Sequence, residues 1–189
     1  VLYQLLLHMN QPISPEVAQA LLTGLVTDTL GFRTSNVTAD TLRTATRLME
    51  AGASLRDVIA RTLESKSYRT LLLWKQALAS MVLKYGVIEA TVTQADLHAA
   101  GLAEMIDGGL SSFLMAANEA VIAVVFKETP EGRVELSMRS KPGYDVGAVA
   151  LALGGGGHVQ AAGATIDGPL PEARQRVLKL LRKAARTRK

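Results

Sequence analysis

The sequence predicts an α/β protein in two parts, a helical N-terminal portion and then a small α/β domain. Two observations carry this reading. Apolar residues recur at helical spacing through the first 85 positions, and after Gly86 short strand-like runs, turn signals and helical stretches alternate. A run of four glycines, Gly154–Gly157, marks the second part as the place to look for a site.

Taken in order, Leu2 to Met9 is an apolar helical stretch, stopped by Asn10 and the Pro12 turn. Ser14-Pro15-Glu16 then supplies a helix cap, a proline at the first helical position and an early acid. Val17, Ala18, Leu21, Leu22 and Leu25 form the connected face of that helix. Thr38 caps the next one, with Leu42, Ala45, Leu48 and Met49 as its apolar face and Gly52 as its stop. Ser54 begins another, holding Leu55, Val58, Ile59 and Leu63. A long helix from about Tyr68 to Lys84 carries Leu71, Leu72, Trp74, Leu78, Met81 and Val82. These faces are broad, and this half has no sheet to cover them. Either the helices form a bundle of their own, or they belong to an α/β domain whose strands lie elsewhere.

Gly86 is the natural boundary. Val87 to Thr93 reads as a strand, followed by a short helix with a Thr93/Asp96 capping box and a helix from about Ala103 to Ala117. Ala120 to Lys127 and Arg133 to Ser140 are strands around a Thr129-Pro130-Glu131-Gly132 turn. Asp145 to Leu153 is helical and runs into the glycines. Ala164 to Asp167 is a short strand, and Pro171 to about Arg186 is the last helix.

The composition, 48% hydrophobic and 20% charged, is that of a folded chain. A pI near 9.5 invites a nucleic-acid reading, so the charges have to be located. Eight of the 21 basic residues and one of the 17 acidic ones lie in Glu172–Lys189, leaving 13 basic and 16 acidic groups elsewhere. The basicity is a tail property. The absence of cysteine excludes disulfides, thiolate zinc sites and a cysteine nucleophile, and fits a reducing, cytoplasmic setting. No uninterrupted apolar run approaches the ~18–20 residues that span a bilayer, so no membrane partner is expected.

Three constellations could carry chemistry. In the first, Asp28 sits within Thr27-Asp28-Thr29 and is followed by Gly31-Phe32-Arg33 and Ser35-Asn36. A carboxylate there is either a ligand for a hard divalent cation, with Thr, Ser and Arg nearby to orient phosphate, or a turn-forming aspartate. The second is Gly154, Gly155, Gly156 and Gly157 with His158, followed by Ala161-Ala162-Gly163. Its backbone N–H groups could make an anion nest with His158 as an adjacent donor, or the glycines could be a flexible helix-ending linker. In the third, Arg139 alternates with Ser137 and Glu135, opposite Leu136 and Met138. It is either a bidentate phosphate ligand or a solvated strand-end arginine. The histidines His8, His98 and His158 are widely separated and form no metal-binding spacing.

In this order the three constellations resemble the DHH phosphoesterase superfamily with its DHHA1 C-terminal domain, most closely its bifunctional oligoribonuclease (nano-RNase) and 3'-phosphoadenosine-5'-phosphate phosphatase group. The stretch LLTGLVTDTLGFRTSNVTADTLRTATRLMEAGA looks like the last metal-binding motif of the catalytic domain. VELSMRSK and GGGGHVQAAGATIDGPLPEARQRVLKLL look like the DHHA1 substrate-binding core. The resemblance implies a remnant of the DHH catalytic domain over 1–66, a linker helix over 67–86 and a DHHA1 domain with a mixed sheet over 87–189. It implies Asp28 as a catalytic metal ligand and Arg139, Gly154–Gly157 and His158 as substrate-binding residues. Ser35 and Asn36 would order the loop that bears Asp28. Ala39 stands where the family commonly has proline, at a position compatible with a helix start.

The family's His-x-x-x-x-Asp-x-Asp motif, its next aspartate motif and its Asp-His-His triplet are absent from the chain and are expected upstream of Val1, together with the sheet that the first helices should cover. The implied whole protein is a cytoplasmic homodimer. Its two Mn²⁺ ions activate water against phosphoesters of short oligoribonucleotides and nucleoside 3',5'-bisphosphates. The chain alone is expected to be inactive and to hold no stably bound metal. The alternatives are a non-catalytic nucleic-acid or nucleotide-binding module, and part of a single-strand exonuclease or cyclic-dinucleotide phosphodiesterase.

Overall fold

A computed structural model describes residues 2–34, 36–104 and 108–187. The chain divides into two compact units, Val1–Ser65 and Lys66–Lys189. Among the described residues no helix is long and apolar enough to cross a membrane.

The first unit is helical throughout: α1 (Leu2–His8), α2 (Pro15–Asp28), α3 (Ala39–Glu50) and α4 (Leu55–Ile59), which continues into a π-helical turn at Ala60–Glu64. The caps read from the sequence are present. Ser14 Oγ accepts from the Val17 N–H, and Thr38 and Thr41 form a reciprocal capping box. Ala18, Leu22 and Val26 of α2 pack against Ala45, Leu48 and Val58 to make the core. A half-buried polar clamp ties the chain after α3 to α2, where the Ser54 N–H donates to Gln19 Oε1 at 2.8 Å. The expected apolar face of α3 is narrower than its sequence suggests. Leu42 and Met49 remain 48% and 43% exposed, because α3 meets α2 along the Ala45–Leu48 line only.

The second unit is a mixed six-stranded sheet covered by helices on both faces. Its elements are α5 (Tyr68–Ala79), β1 (Val82–Lys84), β2 (Val87–Val92), α6 (Gln94–Ala99), α7 (Leu110–Leu114), β3 (Ile122–Glu128) and β4 (Arg133–Ser140). They are followed by α8 (Val146–Ala152), β5 (Gly156–His158), β6 (Ala161–Asp167) and α9 (Leu170–Arg186). The strand order is β1-β2-β3-β4-β6-β5, with β2 and β3 parallel and every other pair antiparallel. Side chains alternate across the pleat. Ile88, Ala90, Ala123 and Val125 therefore pack under α5, α6 and α7, while Val124, Phe126, Leu136, Met138 and Ile166 pack under α8 and α9.

Three elements differ from the sequence reading. The helix expected to reach Lys84 ends at Ala79, and Val82–Lys84 is a strand paired with β2. The turn between them is Tyr85-Gly86, both at positive φ (55° and 75°), the geometry of a two-residue hairpin loop. Gly86 is thus a hairpin turn within the sheet. The helix expected over Ala103–Ala117 is described only as Leu110–Leu114, after Gly108 and Gly109 at positive φ; part of that expectation, 105–107, lies outside the described residues. The strand expected at Ala164 begins at Ala161, because its first residues pair with both β4 and β5.

Candidate functional site

The strand register brings Arg139 and His158 into one row. Arg139 on β4 pairs with Ala161 on β6, and Ala161 pairs with His158 on β5. Residues directly opposite one another on antiparallel strands project from the same face. Arg139, Ala161 and His158 therefore stand side by side, with Arg139 and His158 about 10 Å apart across two strand spacings. The next row on this face is Ser137, Gly163 and Gly156.

This face is covered at one end and open at the other. Leu110 and Leu114 of α7 bury Ala123 and Val125 of β3, and Ser111 Oγ lies 2.9 Å from Ser137 Oγ at the border. Beyond that border Gly156 and His158 are exposed and Ala161 and Gly163 half-buried, while Ala162 and Ala164 point the other way into the core. The result is a shallow floor of small residues, edged by a guanidinium and an imidazole. Arg139 Nη1 donates to the Met138 carbonyl at 2.9 Å, and Arg139 makes no ion pair among the described residues. Its remaining donors suit an anion. The His158 ring has no hydrogen-bond partner among the described residues.

The four glycines have different reasons to be glycine. Gly154 has φ +79°, and a Cβ on Gly155 would lie 2.2 Å from the Gly163 carbonyl oxygen. Gly157 has φ +138°, and its Cβ would lie 2.6 Å from the Ala161 oxygen. Gly156 has neither constraint: a Cβ there would meet nothing within 4 Å, on the open floor. The four-residue anion nest needs correction. The N–H groups of Gly154 and Gly155 donate to Leu151 and Ala150 carbonyls and so end α8, and Gly156–His158 form an edge strand. What the glycines provide at the floor is absence of bulk.

One contributor was missed in the sequence. Gly147, in the first turn of α8, lets that helix lie against the β5 edge; a Cβ would sit 2.9 Å from the His158 carbonyl oxygen. The Val146 N–H bonds to the Val159 oxygen at 2.9 Å, and together these hold His158 in its row. A glycine inside a short apolar helix is the only signal that could have pointed to it.

Asp28 belongs to the first unit, as the last residue of α2. The turn it was offered as making is made by its neighbour, Thr29. Thr29 Oγ1 donates to the Leu25 carbonyl and accepts from the Phe32 N–H. The Asp28 carboxylate is exposed, without a hydrogen-bond partner among the described residues, at the negative end of a helix dipole. Leu30, Gly31 and Phe32 follow at positive φ (48°, 72° and 64°), two of them non-glycine residues in a disfavoured conformation. Asn36 Oδ1 accepts from Thr34 Oγ1 at 2.5 Å, and Ser35 lies outside the described residues. Among the described residues no three potential ligands gather into a metal site.

The DHHA1 domain model matches residues 81–187. The chain is 35% identical over 168 residues to the bifunctional oligoribonuclease and PAP phosphatase NrnA of Thermus thermophilus, covering 88% of this chain and 50% of that protein. It thus spans about half the length of the curated relative it matches. The crystal structure of an exopolyphosphatase-related protein from Bacteroides fragilis shares the fold, with a TM-score of 0.84 at 21% identity over 92% of this chain and 53% of that one. The match over residues 81–187 takes in the whole sheet and the Arg139–His158 row, and on it the chain belongs to the DHHA1 domain family.

Proposed function

We propose that this chain is the C-terminal portion of a manganese-dependent phosphoesterase that hydrolyses short oligoribonucleotides and nucleoside 3',5'-bisphosphates. Its α/β unit is the substrate-binding part, and residues 1–66 are the end of the catalytic domain. The observation that carries this reading is the Arg139–Ala161–His158 row above an open floor where Gly156 is glycine without a packing reason. The identity to an oligoribonuclease and PAP phosphatase supports the substrate class. Arg139 takes a phosphate through its paired N–H donors, His158 adds a donor across the row, and the small residues between them let the sugar-phosphate approach the backbone.

Asp28 has the chemistry of one ligand for a hard cation, an exposed carboxylate without a partner among the described residues. A single carboxylate does not make a two-ion centre, so the residues of this chain do not by themselves fit one, and their own chemistry is binding. Manganese, together with a homodimeric, cytoplasmic state, belongs to the proposed whole enzyme. The exposed Leu2 and Leu5 of α1 favour self-association.

The test is calorimetric titration of the 189-residue chain with 3'-phosphoadenosine 5'-phosphate and an adenine dinucleotide, with and without Mn²⁺. Saturable binding without turnover is expected, weakened at least about tenfold by Arg139→Gln. Robust Mn²⁺-dependent turnover by this chain would sink the claim that its catalytic centre is incomplete. Preference for long single strands, with a steep salt dependence, would favour a non-catalytic nucleic-acid module instead.

A further inference from the structure

The α/β unit carries a basic cavity on the other face of the sheet from the Arg139–His158 row and at its other end. Glu89 on β2 pairs with Val124 and so points to the face covered by α9, away from the Arg139–His158 row. There a cavity of about 280 Å³ is lined by Lys84 of β1, by Glu89, and by Arg174, Gln175 and Arg182 of α9.

The charges in it do not cancel. Arg174 forms a two-pronged pair with Glu89, at 2.7 and 2.8 Å, which neutralises both. Lys84 and Arg182 have no carboxylate partner among the described residues. Arg182 Nε is buried and has no hydrogen-bond acceptor among the described residues. The guanidinium lies 5.5 Å from the ring centroid of Tyr85, at the β1–β2 turn. That cation–π contact holds the group in place and offsets part of its charge, but it supplies no acceptor for the buried N–H. A buried charged donor left without an acceptor is costly and is uncommon in folded proteins. An anion with several oxygens would supply that acceptor.

We propose that this cavity binds a phosphomonoester. Its double charge matches Lys84 and Arg182, the two cations of the cavity without a carboxylate partner among the described residues, and its three terminal oxygens can serve Arg182 Nε, Lys84 and the Gln175 amide together. The cavity also has somewhere to put the rest of such a ligand. A groove of about 570 Å³ along α9 shares Gln175 and Arg182 with it and adds Lys179, Lys183 and Arg186. The ligand is a free nucleotide or the phosphorylated end of an oligonucleotide. The proposal does not depend on the function assigned to the Arg139 row.

Nitrogen-15 NMR of the whole chain tests it, because arginine Nε–H groups report directly. Adenosine 5'-monophosphate and inorganic phosphate are titrated separately from a 5'-phosphorylated adenine dinucleotide and its unphosphorylated counterpart. Saturable shifts of Arg182 Nε and the Tyr85 amide are expected with phosphomonoesters, at a Kd below about 5 mM. Free nucleotide binding as tightly as the phosphorylated dinucleotide would identify the mononucleotide as ligand, and tighter dinucleotide binding would identify the strand end. Arg182→Gln should weaken binding at least about tenfold, and Lys84→Gln, at an exposed strand end, should weaken it without affecting the fold. Arg139→Gln should leave these shifts intact. Absence of saturable shifts would overturn the proposal, as would shifts that survive Arg182→Gln or that the unphosphorylated dinucleotide produces equally.

Discussion

At the residue scale, neighbouring glycines separate folding from binding. Gly155 is closed in by Gly163 and Ala164 of β6, with a hypothetical Cβ at 2.2 Å from backbone oxygen, so alanine must push the segment before β5 away from β6. Gly155→Ala is expected to cost about 3 kcal/mol, the upper part of the overpacking range, read as a lower denaturation midpoint. Gly156→Ala adds the same methyl group to open space and should leave the midpoint nearly unchanged. On the proposed function it weakens nucleotide binding about tenfold, the effect of one misplaced methyl group in a fitted site. A Gly156→Ala protein that binds normally would show that the floor is not the binding surface. The Asp28–Thr29 pair teaches a similar lesson. Both residues suit a helix-ending turn, but the threonine hydroxyl makes it.

At the element scale, capping chemistry was legible and pairing was not. Ser14, Thr38, Ser54 and Thr93 each cap the helix that follows, because a cap is written in four consecutive residues. The alternation of Arg139 against Leu136 and Met138 was legible for the same reason. The row joining Arg139 to His158 was not, since it depends on β6 beginning at Ala161 and on β5 being a strand, both settled by long-range pairing. Val82–Lys84 was misread because three residues show no period of their own and take their conformation from β2. A cap also makes a pH prediction. The Ser14 hydroxyl donates to Glu16 at 2.7 Å, and this bond, with a backbone hydrogen bond, holds the Glu16 carboxyl below its ordinary range. A folded-state value below the unfolded one stabilises the fold above the ordinary carboxylate range, and the gain is lost as pH falls through the folded value. Ser14→Ala should therefore move the Glu16 titration upward, measured by carboxyl carbon-13 shifts. Loss of the cap itself should cost about 1 kcal/mol at neutral pH. An unmoved Glu16 titration would show that the hydroxyl does not carry the effect.

At the scale of the whole molecule, the apolar cores follow the division of the chain. Among the described residues, the clusters around Phe126 and Leu110 draw only on residues from Leu72 to Ala185, and the cluster around Leu22 only on Tyr3 to Leu63. The second unit is large enough for a core on each face of its sheet, and its sheet, helices and both basic sites lie in Lys66–Lys189. A chain of residues 66–189 should therefore fold by itself, with a dispersed NMR spectrum and a cooperative thermal transition. It should bind 3'-phosphoadenosine 5'-phosphate within about twofold of the full chain, since one factor of two is under 0.5 kcal/mol. The first unit stands differently. Its 65 residues fall below the size at which a single core supplies more than ~3–5 kcal/mol, and Leu2, Leu5, Leu42 and Met49 remain exposed. Alone, residues 1–65 should melt broadly or associate. If residues 66–189 proved unfolded while the full chain was folded, the helical unit would be a required part of the α/β core. If they folded but failed to bind, the ligand contacts would have to include the first unit, and the Arg139 row would not be a sufficient site.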